Sequence, residues 1–584
     1  MRYRGDKLKI VFRELSCFRL NLFLTLTGIG VASLTALILP RLLSDIINTG
    51  VGGGDVAYIL RVGGRMLLVA LGGMLINVAS EYNSSRMAAG FARNTRGKIF
   101  RKVESFSLAE FDKIGTASLI TRTTNDVTQI QNYLVFFVRI LIRAPIMMVG
   151  GVIMAFRSDP SLSMPLMVSI PLIAALVVIV SRWVVPLSEE LQKKIDKVNL
   201  VLREKLSGIR VIRAFGTEDY EEERFDGVNR ELMNSNLRLM RMTALMMPAL
   251  MIVTHMTTIV VVWVGAVQVN LGDGLMVGDI IAIIQYVMQI MFSLIMLSMV
   301  FIQYPRAAAS AARINEVLQM PASVLDPHAP VPELALRATV EFRDVSFTFP
   351  GAERSALQHI SFVSGPGEIT AIVGSTGSGK SSLLNLVPRL YDVTGGQVLV
   401  NGVDVRDYKQ QKLRTKLGYV PQRATLFSGT VASNIRMGSE DIDDQAVQSA
   451  ALTAQVLDFV ETREGGFDSE IARGGTNLSG GQKQRLSIAR AVARDPDIYL
   501  FDDSFSALDY QTDARLRSAL RKKTDHATIL LVAQRISTVL HADRILVLDN
   551  GELAGVGTHA ELMKTCVVYR EIVSSQFSDE EVTE

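Results

Sequence analysis

At 584 residues the chain is too long for one ordinary domain. Hydrophobic residues make up 48% against 20% charged, an apolar balance that argues against a wholly soluble enzyme, and a net charge of +3 gives no electrostatic case for nucleic acid. The only two cysteines, Cys17 and Cys566, lie at opposite ends, which excludes a disulfide framework or a Cys-x-x-Cys metal site within the chain. The apolar excess falls before about residue 305, and the remainder has a globular composition. A membrane part followed by a soluble part is therefore expected.

Residues 1–20 carry Arg2, Arg4, Lys7, Lys9, Arg13 and Arg19 among Ile10, Val11, Phe12 and Leu15. They read as a basic amphipathic elbow helix on the cytoplasmic membrane face, a disordered basic tail being the alternative. The N-terminus lacks the pattern of a cleaved signal peptide. Apolar runs follow at 22–42, 66–79, 134–156, 162–185, 244–269 and 280–302. With their flanks, each reaches the roughly 20 residues that a bilayer requires. The connections 43–65, 157–161 and 270–279 are short. The connections 80–133 and 186–243 are long and carry Arg93, Arg96, Lys98, Arg101, Lys102, Lys193, Lys194, Arg203, Lys205, Arg210 and Arg213. Excess Lys and Arg mark the cytoplasmic side, so the long connections and both termini are expected inside. Nothing in these connections ends a helix decisively, and the spans are expected to continue as helices beyond the membrane.

Arg139 and Arg143 fall at the start of the third span, where a charge snorkels to the helix end or faces a cavity. His255, in the fifth span, reads as a packing residue before it reads as a ligand. Met246, Met247, Met251, Met256, Met288, Met291, Met296 and Met299 crowd the last two spans. Flexible thioethers suit a surface for varied apolar ligands, and they equally suit core filling. From 303 the character changes, and Pro321, Pro327, Pro330 and Pro332 mark a linker. The division expected is 1–20, elbow helix; 21–305, six-span membrane domain; 306–338, linker; 339–584, the soluble domain.

In the soluble part an apolar strand at 368–373 runs into Gly374, Ser375, Thr376, Gly377, Ser378, Gly379, Lys380, Ser381 and Ser382, followed by a helix-forming stretch. This is G-x-x-x-x-G-K-[ST] in its required context of strand, loop and helix. The glycines let backbone N–H groups close around phosphate oxygens. Lys380 reaches the terminal phosphates and Ser381 ligates Mg²⁺. Asp502 closes a second apolar strand at 498–501, where a carboxylate holds Mg²⁺. Between the two stands Leu478 with Ser479, Gly480, Gly481 and Gln482, placed to open a helix onto a phosphate.

LSGGQ at 478–482, with those two motifs, resembles the ATPase domain of ABC transporters, and the resemblance extends over essentially the whole chain. Phe111, Asp112, Leu119–Arg122 and Asp126 resemble the first coupling segment of ABC exporters, Glu204–Phe215 the second, and Gly274–Asp279 the turn before the sixth span. The resemblance implies an α-helical membrane domain with long cytoplasmic extensions, then an α/β P-loop domain, in a half-transporter working as a dimer with ATP and Mg²⁺. It further implies that Phe349 stacks on adenine in place of the usual Tyr, that Gln422 senses Mg²⁺ and the γ-phosphate, and that Ser506–Asp509 crosses the dimer interface. Each ATP would lie between one domain's Walker motifs and the other's Ser479–Gln482.

Two departures stand out. The family has Glu after the Walker B Asp; here it is Asp503, one methylene shorter. The family has His in the switch loop; here it is Gln534, which donates a hydrogen bond but carries no charge. Arg473 also replaces a Glu expected before LSGGQ. The expectation is an impaired site on this chain's own Walker motifs, beside an intact signature that serves a partner's site. That is a heterodimer with a second half-transporter supplying the Glu and the His, exporting amphipathic or apolar compounds through a prokaryotic plasma membrane. A homodimer with slow hydrolysis, a regulatory nucleotide-binding subunit and an importer on the exporter fold, as in siderophore systems, are the other readings.

Overall fold

In the computed structural model the described residues are 14, 16–271, 274–329, 337–438 and 441–576. They form two compact units: one comprises the described residues up to Glu104 with Ala117–Met320, the other Ser105–Thr116 with the described residues from Pro321 onward. The surface helix expected over 1–20 lies almost wholly outside the described residues; at Arg19 the chain is already in the first long helix.

The first unit holds six helices long and apolar enough to cross a membrane. They run over Arg19–Asp45, Val56–Glu104, Val127–Ser158, Pro160–Ser207, Glu218–Leu271 and Val277–Gln319. A bilayer needs roughly 20 residues. The second, fourth and fifth helices have 49, 48 and 54. The expected extensions are therefore present, and they are broken only at specific points. Ser107 caps the short helix Leu108–Ile114 and exchanges hydrogen bonds with Glu110. Gly216, at φ 62°, ends the second short segment, Ile209–Phe215, with a conformation that favours glycine. The linker starts later than expected: the sixth helix passes 303 and contains Pro305, and non-helical chain begins at Met320. With the apolar run over, long-range polar contacts hold this extension as helix. Buried Asp126 accepts from Arg313 Nε at 2.7 Å and from Ser310 Oγ at 2.9 Å, and Arg122 donates to Glu316 at 2.8 Å.

The helices pack through a core of Leu162, Leu166, Ile173, Val261, Ile283, Tyr286 and Ile290. The turn before the sixth helix is tied to the first: Asp279 accepts from Ser44 Oγ at 2.8 Å, and Gly278 N donates to Asn48 Oδ1 at 2.7 Å. Met291 is buried and Met246 packs against the core, whereas Met251, Met256 and Met299 are exposed. His255, expected to pack, is exposed on its helix.

The second unit is an α/β domain whose described residues form two main sheets and a short two-stranded pair, Gly429–Thr430 with Glu470–Ile471. The larger has the strand order Glu552–Gly557, Arg544–Asp549, Ile369–Gly374, Thr528–Val532, Ile498–Asp502, Leu417–Val420, parallel except for the first strand. Strands buried on both faces read as continuous apolar runs, and Ile498–Phe501 and Thr528–Val532 are such runs. The smaller, antiparallel sheet orders Leu357–Ser364, Val340–Phe347, Gly395–Val400 and Val403–Asp404. In the parallel register Val532 stands beside both Ile372 and Asp502, and Val420 beside Phe501. Four strands thus end at one level, and their loops meet at the carboxyl edge, where open α/β sheets bind ligands.

Candidate functional site

The glycine loop leaves the central strand at Gly374 and enters the helix Lys380–Leu386. Two of its glycines are obligatory. At Gly374 (φ 156°) a Cβ would lie 2.2 Å from Leu548 O, and at Gly379 (φ 100°) 2.7 Å from Ala356 O. Ser375, Thr376 and Gly377 are exposed, so their backbone N–H groups are open to a ligand, while Ser378 is buried. Lys380 Nζ donates to Gly374 O at 2.9 Å and Ser375 O at 2.6 Å, which holds the ammonium over the loop. Burial lowers its pKa from the usual lysine value, with Asp503 and Asp502 opposing the shift. An ammonium so desolvated gains from an anionic ligand.

Ser381 Oγ donates to Asp502 Oδ1 at 2.9 Å, so the two residues expected on the metal are adjacent. Burial raises the Asp502 pKa, against the Ser381 hydrogen bond. The donor set fits Mg²⁺ carried by a nucleoside triphosphate: a hydroxyl, one carboxylate and, on Gln422, an amide oxygen. Magnesium takes few protein oxygens and completes its shell with phosphates and water. Among the described residues there is no group of three or more His, Cys, Asp and Glu to hold an ion unaided.

Asp503 follows at φ 47°, is 8% exposed, and is anchored by its N–H to Val532 O at 3.0 Å. Its Oδ2 accepts from Gln534 Nε2 at 2.8 Å and from Gln422 Nε2 at 3.2 Å. The three residues singled out for catalysis therefore meet on one oxygen, and both amides turn their nitrogens to the carboxylate. Burial raises the Asp503 pKa; the Gln422 hydrogen bond opposes this.

Sequence reasoning missed the residue that holds Gln534. Gln576, just past the helix Val567–Ser574, donates from Nε2 to Gln534 O at 2.7 Å and accepts from Ile536 N at 2.8 Å. A side-chain amide that pairs with both backbone groups fixes the switch loop from behind. No spacing signal connects positions 534 and 576.

Phe349 is 37% exposed and meets Phe347 and Tyr391 edge to face, at ring distances of 4.8 and 5.5 Å. Tyr391, also missed, donates its hydroxyl to Asp112 at 2.9 Å, and burial pushes its pKa up to about 12. The aromatic platform is thereby connected to the short helix Leu108–Ile114, which belongs to the same unit.

Ser479 is the N-cap of the helix Gly480–Val492. Its N–H donates to Gln482 Oε1 at 2.9 Å, and Gln482 N donates to Ser479 Oγ at 3.3 Å, a reciprocal cap. A Cβ on Gly480 would meet open space, whereas one on Gly481 would come 3.2 Å from Ala507 O in the neighbouring loop. That loop leads to Asp509, which caps Tyr510–Lys523 by accepting from Thr512 N at 2.9 Å; this hydrogen bond lowers its pKa. Ser479, Gly480 and Asp509 are exposed.

The membrane unit has a cavity of about 560 Å³ between the first, third and sixth helices. Met147, Met288, Phe292 and Met296 give it apolar walls, and Arg143, Gln289 and Ser293 are its polar residues. Arg143 thus faces a cavity, while Arg139 is paired with Glu81 on the second helix.

Residues 22–294 match the family described as the ABC transporter transmembrane region, and residues 357–506 match the family described as ABC transporter. An uncharacterized ABC transporter ATP-binding protein of Mycobacterium tuberculosis is 42% identical over 94% of each chain. An ATP-dependent lipid A-core flippase of Mannheimia succiniciproducens is 28% identical over 98% of this chain and 97% of its own. The structure of a bacterial Atm1-family ABC exporter with ATP bound superposes with a TM-score of 0.78 at 26% identity, covering 97% of this chain and 99% of that one.

Proposed function

The chain belongs to the ABC transporter family as an exporter-type half-transporter, a six-span membrane domain followed by an ABC ATPase domain, and from that premise we propose that it is the degenerate-site subunit of a heterodimeric exporter of amphipathic or apolar compounds. The observation that carries this reading is the Asp503 carboxylate, one methylene short and held by the amides of Gln534 and Gln422, beside a fully capped Ser479–Gln482. A general base must reach the proton it takes. Here the acid is retracted, buried and hydrogen-bonded by two side chains that carry no charge. The signature helix is complete, so its service is to the partner's ATP.

In the assembled pair, Gly374–Ser382 and Phe349 bind one ATP, with Ser381, Asp502 and Gln422 holding its Mg²⁺. That ion neutralises phosphate charge. Lys380 adds an ammonium beside the phosphates, and the partner's signature closes the site. This ATP turns over slowly and stays as a clamp. The partner's Walker site, with its Glu and His, hydrolyses ATP against this chain's Ser479–Gln482 and Asp509. Tyr391 and Asp112 transmit nucleotide binding to the helix Leu108–Ile114 and so to the spans.

The substrate class rests on the cavity. Four apolar walls and one arginine suit an amphiphile, and the flippases among the relatives are named for moving a lipid. The divisions 1–20, 21–305, 306–338 and 339–584 serve as domain limits, with the membrane part now extended through the helix end at Gln319. The termini and long helix extensions lie in the cytoplasm, and the location is a bacterial plasma membrane.

The test is to isolate the tagged chain from its own membranes and identify what accompanies it. A one-to-one complex with a second half-transporter bearing Glu and His at the equivalent positions is expected, and it should drive an apolar dye into the lumen of inverted vesicles on ATP addition. Recovery of a homodimer that hydrolyses and transports at full rate overturns the reading.

A further inference from the structure

A groove of about 540 Å³ lies between the fourth and fifth long helices, and three arginines line it: Arg182 on one helix, Arg238 and Arg241 on the other. All three are exposed, and among the described residues none has an ion pair or hydrogen bond. The acid of the groove, Glu190, accepts from Ser235 Oγ at 3.3 Å. Among the residues that line the groove, three cations and one anion leave an excess of two positive charges.

The groove sits where the apolar stretches end. From Pro160 to Trp183 the fourth helix rises roughly 35 Å, slightly more than the hydrocarbon thickness of about 30 Å. The apolar run 244–269 of the fifth helix begins three positions after Arg241. The arginines therefore stand at the bilayer boundary from which the helices extend into water. Trp183, 59% exposed, belongs to the same groove, as do Leu187 and Met242. Tryptophan favours the headgroup level, and basic pockets between membrane helices at this level take anionic headgroups.

We infer that the groove binds the headgroup of an anionic phospholipid from the leaflet on the side of the helix extensions. Its phosphates meet Arg182, Arg238 and Arg241, and its upper acyl chains lie on Trp183 and Met242. An excess of two charges matches a diphosphate headgroup of the cardiolipin type better than a single phosphate. A lipid is the occupant because a free anion would leave the indole and thioether walls unused. This site is separate from the nucleotide site and from the cavity at Arg143, and its existence does not depend on what is transported.

The experiment is native mass spectrometry of the full chain, delipidated in the dimeric form in which it is isolated. It is titrated with cardiolipin, phosphatidylglycerol and phosphatidylcholine, with and without millimolar inorganic phosphate. Cardiolipin is expected to bind once per chain, at least tenfold more tightly than phosphatidylcholine. Each juxtamembrane cation changes affinity for an anionic surface by about fivefold. Arg182→Gln with Arg238→Gln and Arg241→Gln should therefore weaken cardiolipin about 100-fold, while the triple lysine variant stays within about fivefold of wild type. Trp183→Ala should weaken cardiolipin as well. The lysine variant keeps the test decisive should the glutamine variant misfold. Equal binding of phosphatidylcholine, or undiminished cardiolipin on the folded glutamine variant, overturns the proposal. Displacement of the lipid by inorganic phosphate also overturns it, since that identifies a site for soluble anions.

Discussion

Asp503→Glu is the most informative single change in this protein. Oδ2 of Asp503 is fixed by donors at 2.8 and 3.2 Å, so the carboxylate cannot advance without giving them up. Glutamate adds one carbon–carbon bond, about 1.5 Å of reach. A misplacement of ~1 Å costs a reacting group about 100-fold, or ~2.7 kcal/mol. Re-forming the amide contacts around a longer side chain offsets about 1 kcal/mol of that. The expected net gain in hydrolysis is therefore about twentyfold. The assay is phosphate release at saturating Mg²⁺-ATP by the full chain purified alone, with ATP affinity measured in parallel and expected to be unchanged. Asp503→Glu combined with Gln534→His should exceed the single variant, because the imidazole restores a group that can carry charge to the γ-phosphate. A single variant within twofold of wild type would show that the short carboxylate is not the defect, as would a wild-type chain that is already fast.

Three further outcomes follow from the same geometry. Gln576→Ala removes both side-chain anchors of the switch loop, at about 1 kcal/mol each, and should lower kcat per correctly folded molecule about tenfold or more in the Asp503→Glu background with little change in KM; a rise in KM with kcat unchanged would instead place Gln576 in ATP binding and refute this role. Tyr391→Phe keeps the ring against Phe349 but deletes the hydrogen bond to Asp112; ATP binding should persist while transport per ATP falls severalfold, and unchanged coupling in vesicles would remove Tyr391 from the path. Asp502→Asn should stabilise the nucleotide-free protein. Burial raises the Asp502 pKa, so the folded state holds the proton more tightly than the unfolded chain does; its contribution is present below the unfolded value of about 3.9 and is lost as pH rises through the raised folded value. At neutral pH the variant should therefore melt higher, by roughly 2–4 °C for each kcal/mol, with the gap closing toward about pH 4. A lower melting temperature for Asp502→Asn at pH 7 would contradict this sign.

Legibility followed the range of the interaction. The glycine loop, the capped helix after Ser479 and the buried strand ending at Asp502 are local devices. Each is specified by residues within about ten positions, because conformational freedom at glycine, reciprocal capping and apolar runs act along the chain. The six long helices were readable for the same reason, and so were their extensions, since little in the long connections breaks a helix. The end of the sixth helix was not, because Asp126, from 187 positions away, holds Arg313 and keeps the helix intact past Pro305.

The sequence by itself marked the glycine loop, the capped helix after Ser479 and Asp502 as the candidate nucleotide site, and Asp503 and Gln534 as departures from the ordinary pair. Only the tertiary structure decided that these two side chains, with Gln422, converge on one carboxylate oxygen, that Gln576 holds the loop carrying Gln534, and that Tyr391 joins the aromatic platform to Asp112. Parallel strand register places Asp502 beside Val532 and Val420 beside Phe501, and that alignment of distant segments is what brings the loops together. A hydrogen bond between residues 42 or 279 positions apart leaves no periodicity in the chain. It exists only once the sheet has set the distance.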